Sequence, residues 1–174
     1  DLHPVDRRQR KMCIRDRMIH WFDEEMEPLD MTIDPSQRML HVTCNDGLIR
    51  VFSLDDSSLI GNYSSPNGAV IDQIENVGPG YLLAANGNTL WQVTVGTNLA
   101  TSWVNAATLF AGNGVIPATD MLVVSTDVWI GTDGAGLFHY SGGSVQQYSS
   151  QNTLPSDSVV DLEMAGTYLL IVLA

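Results

Sequence analysis

The glycine-rich stretch "GTDGAGL" (131–137) is the first candidate for a chemical site. The backbone N–H groups of such a turn could bind a phosphate, and its Asp133 could bind a metal. A phosphate loop, however, leads into a helix and often includes a lysine, whereas an apolar strand-like run follows here. We therefore interpret it as the turn between two strands of a hairpin. In that setting Gly131, Gly134 and Gly136 allow positive φ angles and the close approach of neighbouring sheets.

A cluster of carboxylates occurs early in the chain, in "WFDEEMEPLD" (21–30). Its members are Asp23, Glu24, Glu25, Glu27 and Asp30. Two carboxyl groups placed across a sugar ring could hydrolyse a glycosidic bond. Adjacent residues of an extended segment point to opposite sides, however, and no apolar surroundings are present to raise a pKa. A solvated acidic loop is the favoured interpretation.

An aspartate also recurs at one position of a repeated strand. The four members are Asp30, Asp72, Asp120 and Asp161. If this strand lines a central channel, a ring of carboxylates there could hold a cation, although calcium requires about six to eight oxygen ligands. In the alternative interpretation each aspartate caps a turn or binds neighbouring backbone, as short polar side chains do. We favour the structural role, and the sequence leaves cation binding open.

The remaining chemically capable residues form no recognisable constellation. His41 and His139 lie within apolar strands, and His20 lies in the lead-in, the segment that precedes the first predicted strand. None of them has the His-x-His or Glu-x-x-His spacing of a metal site. Cys44 has no evident base partner, and no Gly-x-Ser-x-Gly nucleophile turn is present. We interpret Trp91, Trp103 and Trp129 as packing residues between sheets. No catalytic, cofactor-binding or metal-binding residue is assigned, and no cofactor is predicted.

The net charge of −12 over 174 residues excludes several partners. Nucleic acids and anionic membrane surfaces both require a basic surface, and no apolar run is long enough to span a bilayer. Six of the eight basic residues lie within the first 17 positions. This segment, 1–17, resembles a translated sequencing adapter. We expect it to be a non-native or disordered arm and expect the folded protein to comprise 18–174.

A repeat accounts for the glycine turns. The segments "DGLIRVF" (46–52), "GNTLWQV" (87–93) and "GAGLFHY" (134–140) align on Leu48, Leu90 and Leu137. Their spacing falls close to the period of about 40–50 residues that four-stranded propeller blades have. We predict an all-β fold, a β-propeller of four-stranded antiparallel blades at about 28–65, 70–105 and 115–150. A truncated blade at 157–174 brings the count to about three and a half, so we expect an incomplete ring.

The third of these blades carries a resemblance to a known family. The segment "DVWIGTDGAGLFHYSGGSVQQYSSQNTLPSDSVVDL" (127–162) resembles the two-component-regulator propeller repeat. The matching residues are Trp129, Ile130, Gly131, Thr132, Gly136, Leu137, Leu154, Pro155, Ser156 and Val159. The first blade, "HVTCNDGLIRVFSLDD" (41–56), is more similar to WD-repeat-like blades. The resemblance implies an extracytoplasmic (periplasmic or cell-surface) sensory or ligand-binding propeller within a longer protein with further blades or domains.

Two functions are consistent with these sequence features. The first is a non-catalytic sensor or scaffold that binds a small ligand or a protein. The alternative is part of a propeller enzyme, of hydrolase, lyase or quinoprotein type, whose site is completed by further blades. A fold does not choose between them, because function resides in the site. The absence of a catalytic constellation in the sequence favours the binding protein.

Overall fold

The computed structural model describes residues 27–111 and 114–174, and this part of the chain consists of antiparallel β-sheets. The first sheet contains β1 (Pro28–Asp34), β2 (Met39–Cys44), β3 (Leu48–Ser53) and β4 (Leu59–Ser64). The second contains β5 (Gln73–Gly78), β6 (Tyr81–Ala85), β7 (Thr89–Val95) and β8 (Thr101–Thr108). The third contains β9 (Ala118–Val124), β10 (Asp127–Thr132), β11 (Leu137–Ser141) and β12 (Ser144–Tyr148). The fourth contains β13 (Val159–Ala165) and β14 (Tyr168–Leu173).

Each sheet is a meander in which consecutive strands pair. Tight turns make this possible, as between β11 and β12, where Gly142 and Gly143 both adopt positive φ angles of 57° and 83°. Two consecutive residues of positive φ match the twist of the flanking strands, which favours a two-residue hairpin. Because consecutive strands are antiparallel, the turns alternate between the two ends of each sheet.

The sheets pack face to face, with their first strands side by side in the order β1, β5, β9, β13. Ile49 and Val51 of the first sheet pack against Leu82 and Val93 of the second. The other face of the second sheet packs against the third, and Leu137 of the third meets the fourth. Apolar residues on both faces of the middle sheets are needed because each is covered on both sides.

This architecture confirms the predicted fold class. The three complete sheets are four-stranded and antiparallel, and Leu48, Leu90 and Leu137 each lie at the beginning of a third strand. The sheets form an open arc rather than a closed ring. In the described part of the chain, no helix is long and apolar enough to cross a lipid bilayer.

Several predicted features lie outside the described residues. They are the arm at 1–17, His20, and the three lead-in carboxylates Asp23, Glu24 and Glu25. Of the five-carboxylate cluster, Glu27 and Asp30 are described. Glu27 is exposed and donates its backbone N–H to the side-chain oxygen of Asn45, whereas Asp30 is buried in β1.

Candidate functional site

The glycine-rich turn between β10 and β11 is bonded to the linker that follows the third sheet. The N–H groups of Gly134 and Gly136 both donate to the backbone oxygen of Asp157, at 3.0 Å and 2.8 Å. The Thr132 hydroxyl donates to the Gly136 oxygen at 2.7 Å and accepts from the Ala135 N–H at 3.2 Å. These donors are therefore occupied within the protein, and the turn is a structural joint rather than a phosphate cradle.

The same joint recurs in the other complete sheets. The N–H of Gly87, between β6 and β7, donates to the Ile116 oxygen at 2.9 Å. In the first sheet Gly47 (φ +79°) lies so close to the linker that an added Cβ would stand 2.8 Å from the Gly68 oxygen. Each turn between second and third strands thus rests on the linker that follows its sheet. We call this end of the molecule the linker face; it comprises turns 45–47, 86–88 and 133–136 with linkers 65–72, 109–111, 114–117 and 149–158.

The recurring aspartates join each sheet to the next. The Asp30 carboxylate accepts from the Ile74 N–H at 2.9 Å, and the Asp72 carboxylate accepts from the Ala118 N–H at 2.9 Å. The Asp120 carboxylate accepts from the Leu162 N–H at 2.8 Å. We call these the junction bonds. They support the structural interpretation of the aspartates, which predicted bonding to neighbouring backbone.

The fourth aspartate of the series, Asp161, lies on β13 opposite Val172. Among residues 27–111 and 114–174, no group of three or more His, Cys, Asp or Glu side chains is arranged to hold a metal ion. Three of the four carboxylates that the sequence suggested as a ring, those of Asp30, Asp72 and Asp120, are each bonded to the backbone of another sheet.

Asp34 forms a junction that was not predicted from the sequence. Its carboxylate accepts from the Gly80 N–H of the second sheet at 2.7 Å, and from the N–H groups of Ser36 and Gln37 at 2.9 Å and 3.1 Å. Burial raises the pKa of Asp34, but the hydrogen bonds from Ser36, Gly80 and Gln37 outweigh it and hold the pKa below its ordinary value. The "DPSQ" sequence was the available signal, because Asp followed by Pro and Ser favours a turn closed by its own side chain.

His41 is buried within the fold, beside the hydroxyl group of Tyr63. Its Nδ1 lies 3.0 Å from the Tyr63 hydroxyl, and both side chains are buried between the first and second sheets. Burial lowers the pKa of His41 to about 4, although the Asp34 charge opposes this shift. Burial also raises the pKa of Tyr63. Both groups are therefore neutral at physiological pH.

Two tryptophans cover this pair from the second sheet. Trp103 lies 6.3 Å from Tyr63 between ring centroids, and Trp91 packs edge-on against Trp103 at 6.3 Å. Trp91 and Trp103 both belong to the apolar layer between these sheets. Their predicted role as packing residues agrees with this position.

His139 and Trp129 form a second aromatic group, on the third sheet. Their rings stack with centroids 3.9 Å apart and planes 7° apart, and Tyr148 lies 6.1 Å from Trp129. His139 Nε2 lies 3.6 Å from the Asp127 carboxylate. These aromatic residues face the fourth sheet, which Trp129 and Tyr148 contact, and all three are half-buried.

The charges of the described residues are mostly negative. Both of their arginines are paired, Arg38 with Asp55 at 2.5 Å and Arg50 with Asp46 at 2.7 Å. On the linker face, Asp133 accepts from the Ser158 hydroxyl at 2.8 Å. Asp157 accepts from the hydroxyl and the N–H of Ser150, both at 2.6 Å, and these bonds lower its pKa. The linker face therefore presents the carboxylates of Asp133 and Asp157.

Comparisons with solved structures identify propellers. The β-propeller domain of Cps50 (Swd1) from Myceliophteria thermophila has a TM-score of 0.59 at 12% identity, with 84% of this chain matching 49% of that one. The computationally designed Ika4 protein has a TM-score of 0.61 at 12% identity, and the match covers 87% of this chain and 88% of that one. A third match is a chain from an S. cerevisiae complex of dbp5 with nup159, gle1, ip6 and adp. Its TM-score is 0.55 at 13% identity, and the match covers 82% of this chain and 37% of that one.

These likenesses show the fold alone. The chain spans about half the length of the Cps50 propeller domain that it matches. No protein-family model matches the sequence, and no curated protein does. The prediction of a β-propeller fold is thus confirmed, and the chain is a β-propeller structure arranged as an open arc.

Proposed function

We propose that this protein is a non-catalytic binding scaffold, which presents its linker face to a protein or small-ligand partner. One observation carries the proposal: the carboxylates and turn N–H groups that could take part in chemistry are bonded within the fold. The carboxylates of Asp30, Asp72 and Asp120 bind backbone of the next sheet, and the N–H groups of the glycine turn bind the Asp157 oxygen. Carboxylates and N–H groups that are bonded in this way are not available to act on a substrate.

The charge of the linker face favours a cationic partner. Asp133 lies exposed and Asp157 half-buried on neighbouring segments, while both arginines of the described residues are paired. An excess of negative charge raises the local concentration of cationic groups and accelerates their encounter with the protein. We therefore propose that the partner contacts this face through Arg or Lys side chains.

Fluorescence anisotropy with a labelled octa-arginine peptide tests this proposal. The double variant Asp133→Asn with Asp157→Asn removes two charges and keeps an acceptor oxygen at each position. Its matched control, Asp55→Asn with Asp56→Asn, removes two charges from the turn between β3 and β4, at the opposite end of the sheets. We expect binding about fivefold weaker for the first pair than for the second, and weaker throughout at higher salt. Equal losses for both pairs would contradict a specific linker face.

We further propose that the protein serves as a sensor outside the cytoplasm. Support comes from the resemblance of 127–162 to the two-component-regulator propeller repeat. Cell fractionation with an antibody against residues 27–174 tests the location. Recovery with cytoplasmic markers would contradict it, whereas recovery in the periplasmic or surface fraction supports it.

A further inference from the structure

The sequence contains three Asn-Gly pairs, the dipeptide in which an asparagine loses its side-chain amide most readily. The pairs lie at 67–68, 86–87 and 113–114. Glycine favours the reaction because it has no side chain to shield its backbone nitrogen and it leaves the backbone free to rotate. Both residues of the first two pairs belong to the described part of the chain, and their surroundings differ sharply.

The pair Asn67–Gly68 lies at the tip of an exposed turn in the linker between the first and second sheets. Both residues are exposed, and a Cβ added at Gly68 would meet nothing within 4 Å. No hydrogen bond joins the Asn67 side chain to another of the described residues. The side-chain amide of Asn67 and the backbone nitrogen of Gly68 are therefore both accessible to water.

The turn is held at its base rather than at its tip. The Ser65 hydroxyl donates to the Ala69 oxygen and closes the base. Within the turn, the Gly68 N–H donates to the Ser65 oxygen at 3.2 Å, and the Ala69 N–H donates to the Pro66 oxygen at 3.4 Å. These two distances lie at or beyond the upper end of the usual range for such bonds. A rotation about the backbone of Asn67 therefore breaks only weak bonds.

The pair Asn86–Gly87, in contrast, is enclosed by its neighbours. The Asn86 side-chain oxygen accepts from the N–H groups of Asn88 and Thr89, both at 3.0 Å. The Gly87 N–H donates to the Ile116 oxygen at 2.9 Å, and a Cβ added at Gly87 would collide with that same oxygen. The nitrogen and the side-chain carbonyl that would have to react are thus both fixed by other partners.

We propose that Asn67–Gly68 is a site of spontaneous deamidation and isomerisation, and that Asn86–Gly87 is protected from the same reaction. The Gly68 nitrogen bonds to Cγ of Asn67 and gives its proton to a base in the solvent. The bond between Cγ and Nδ2 breaks, and Nδ2 takes up a proton and leaves as ammonia. Water then opens the cyclic imide at either of its two carbonyl carbons, which yields aspartate or isoaspartate at position 67.

The modification would change the linker face in charge and in backbone length. Either product places a carboxylate at position 67, and isoaspartate also adds a methylene group to the backbone. The Gly68 oxygen lies close to the turn 45–47, since a Cβ added at Gly47 would stand 2.8 Å from it. The longer backbone should disturb this contact. The modification site goes beyond the proposed function, and only the effect of the new charge on a cationic partner rests on that function.

Peptide mapping by mass spectrometry of the full chain, aged at mildly alkaline pH, tests the proposal. Chymotrypsin cleaves after Tyr81, so the two pairs fall in separate peptides. In the folded chain we expect conversion of amide to acid, with isoaspartate, at least about tenfold faster at Asn67 than at Asn86. The reason is that the hydrogen bonds around Asn86 must open first. In urea the two pairs should react at similar rates, because the dipeptide is the same.

The variant Asn67→Gln is the matched control, and it should abolish the product at this position while the rate at Asn86 stays unchanged. Two results would overturn the proposal. They are equal rates at the two pairs in the folded chain, and an Asn67 that reacts in urea but not in the folded chain. The unmodified chain decides both, so the outcome does not depend on the folding of a variant. Because the peptide map does not involve octa-arginine, it can fail while the proposed function holds, and the reverse is equally possible.

Discussion

The carboxylate of Asp30 in β1 accepts a hydrogen bond of 2.9 Å from the backbone N–H of Ile74 in β5, 44 residues further along the chain. This bond joins two sheets, and both partners are buried. Removing the acceptor leaves a buried N–H without this partner. Asp30→Ala should therefore lower the free energy of unfolding by about 1–3 kcal/mol. Urea unfolding measures this loss, and hydrogen exchange at the Ile74 amide locates it.

Asp55→Ala is the matched control for that substitution. Asp55 pairs with Arg38 on the surface, and exposed ion pairs contribute at most about 1 kcal/mol. The loss in the free energy of unfolding for Asp30→Asn should fall between those of the two alanine variants, because the amide keeps one acceptor oxygen. Equal losses in Asp30→Ala and Asp55→Ala would show that the junction bond does not stabilise the contact between sheets.

The stability of the protein should fall as the solution is acidified from pH 6.5 to about 4. His41 has an ordinary pKa of 6.5, which burial lowers to about 4 in the folded protein. Between these values the unfolded chain binds the proton and the folded chain does not, so acid favours unfolding. The loss attributable to this one group is up to about 3 kcal/mol. Urea unfolding across this pH range measures it.

The double variant His41→Leu with Tyr63→Phe isolates this contribution. It removes both partners of the buried hydrogen bond, so neither is left unsatisfied. Its unfolding free energy should depend less on pH between 6.5 and 4 than that of the unmodified chain. Asp34 affects stability in a lower pH range. Its pKa is lowered in the folded protein, so the stability that it contributes is lost only as the pH falls below 3.8. An unchanged slope above pH 4 would contradict the role of His41.

Gly136→Ala should destabilise the third sheet far more than Gly142→Ala. Both glycines have positive φ angles, of 81° and 57°. An added Cβ at Gly136 would collide with the backbone oxygen of Tyr148, while one at Gly142 meets nothing within 4 Å. Backbone strain alone costs about 1 kcal/mol, and the collision adds several more. Differential scanning calorimetry of the two variants measures the difference, and similar melting temperatures would contradict it.

Cys44 should react with thiol reagents only after the first sheet opens. It is 1% exposed, and burial raises its pKa, so the reactive thiolate is disfavoured. A Cys13→Ser background leaves Cys44 as the single thiol. Its labelling rate should rise with urea in step with the loss of β-sheet signal. Rapid labelling in the absence of urea would show that this face of the first sheet opens independently.

The fold followed from local patterns, whereas the partners of the polar groups did not. Leu48, Leu90 and Leu137 identified the repeat, because each follows a turn and lies at the beginning of a third strand. The recurring Asp30, Asp72 and Asp120 were also visible, and their bonding to backbone was the favoured interpretation. The donors Ile74, Ala118 and Leu162 were not identified, because they depend on how one sheet sits against the next. Asp34 was missed for the same reason, since its buried state depends on Gly80, 46 residues away.

The junction bonds also bear on how such a chain could grow by gene duplication. Each complete sheet carries, on its first strand or in the linker beside it, the acceptor for the sheet that follows, and the second and third sheets also supply donors to the sheets before them. A duplicated middle unit would therefore arrive with both halves of its new contacts, and no compensating substitution would be required elsewhere. Because the donor is a backbone N–H, the bond places no demand on the side chain of the donor residue, and the donors here are Ile74, Ala118 and Leu162. Copies could lose sequence similarity rapidly while the aspartate is retained, and the aspartate would then mark descent better than the residues around it.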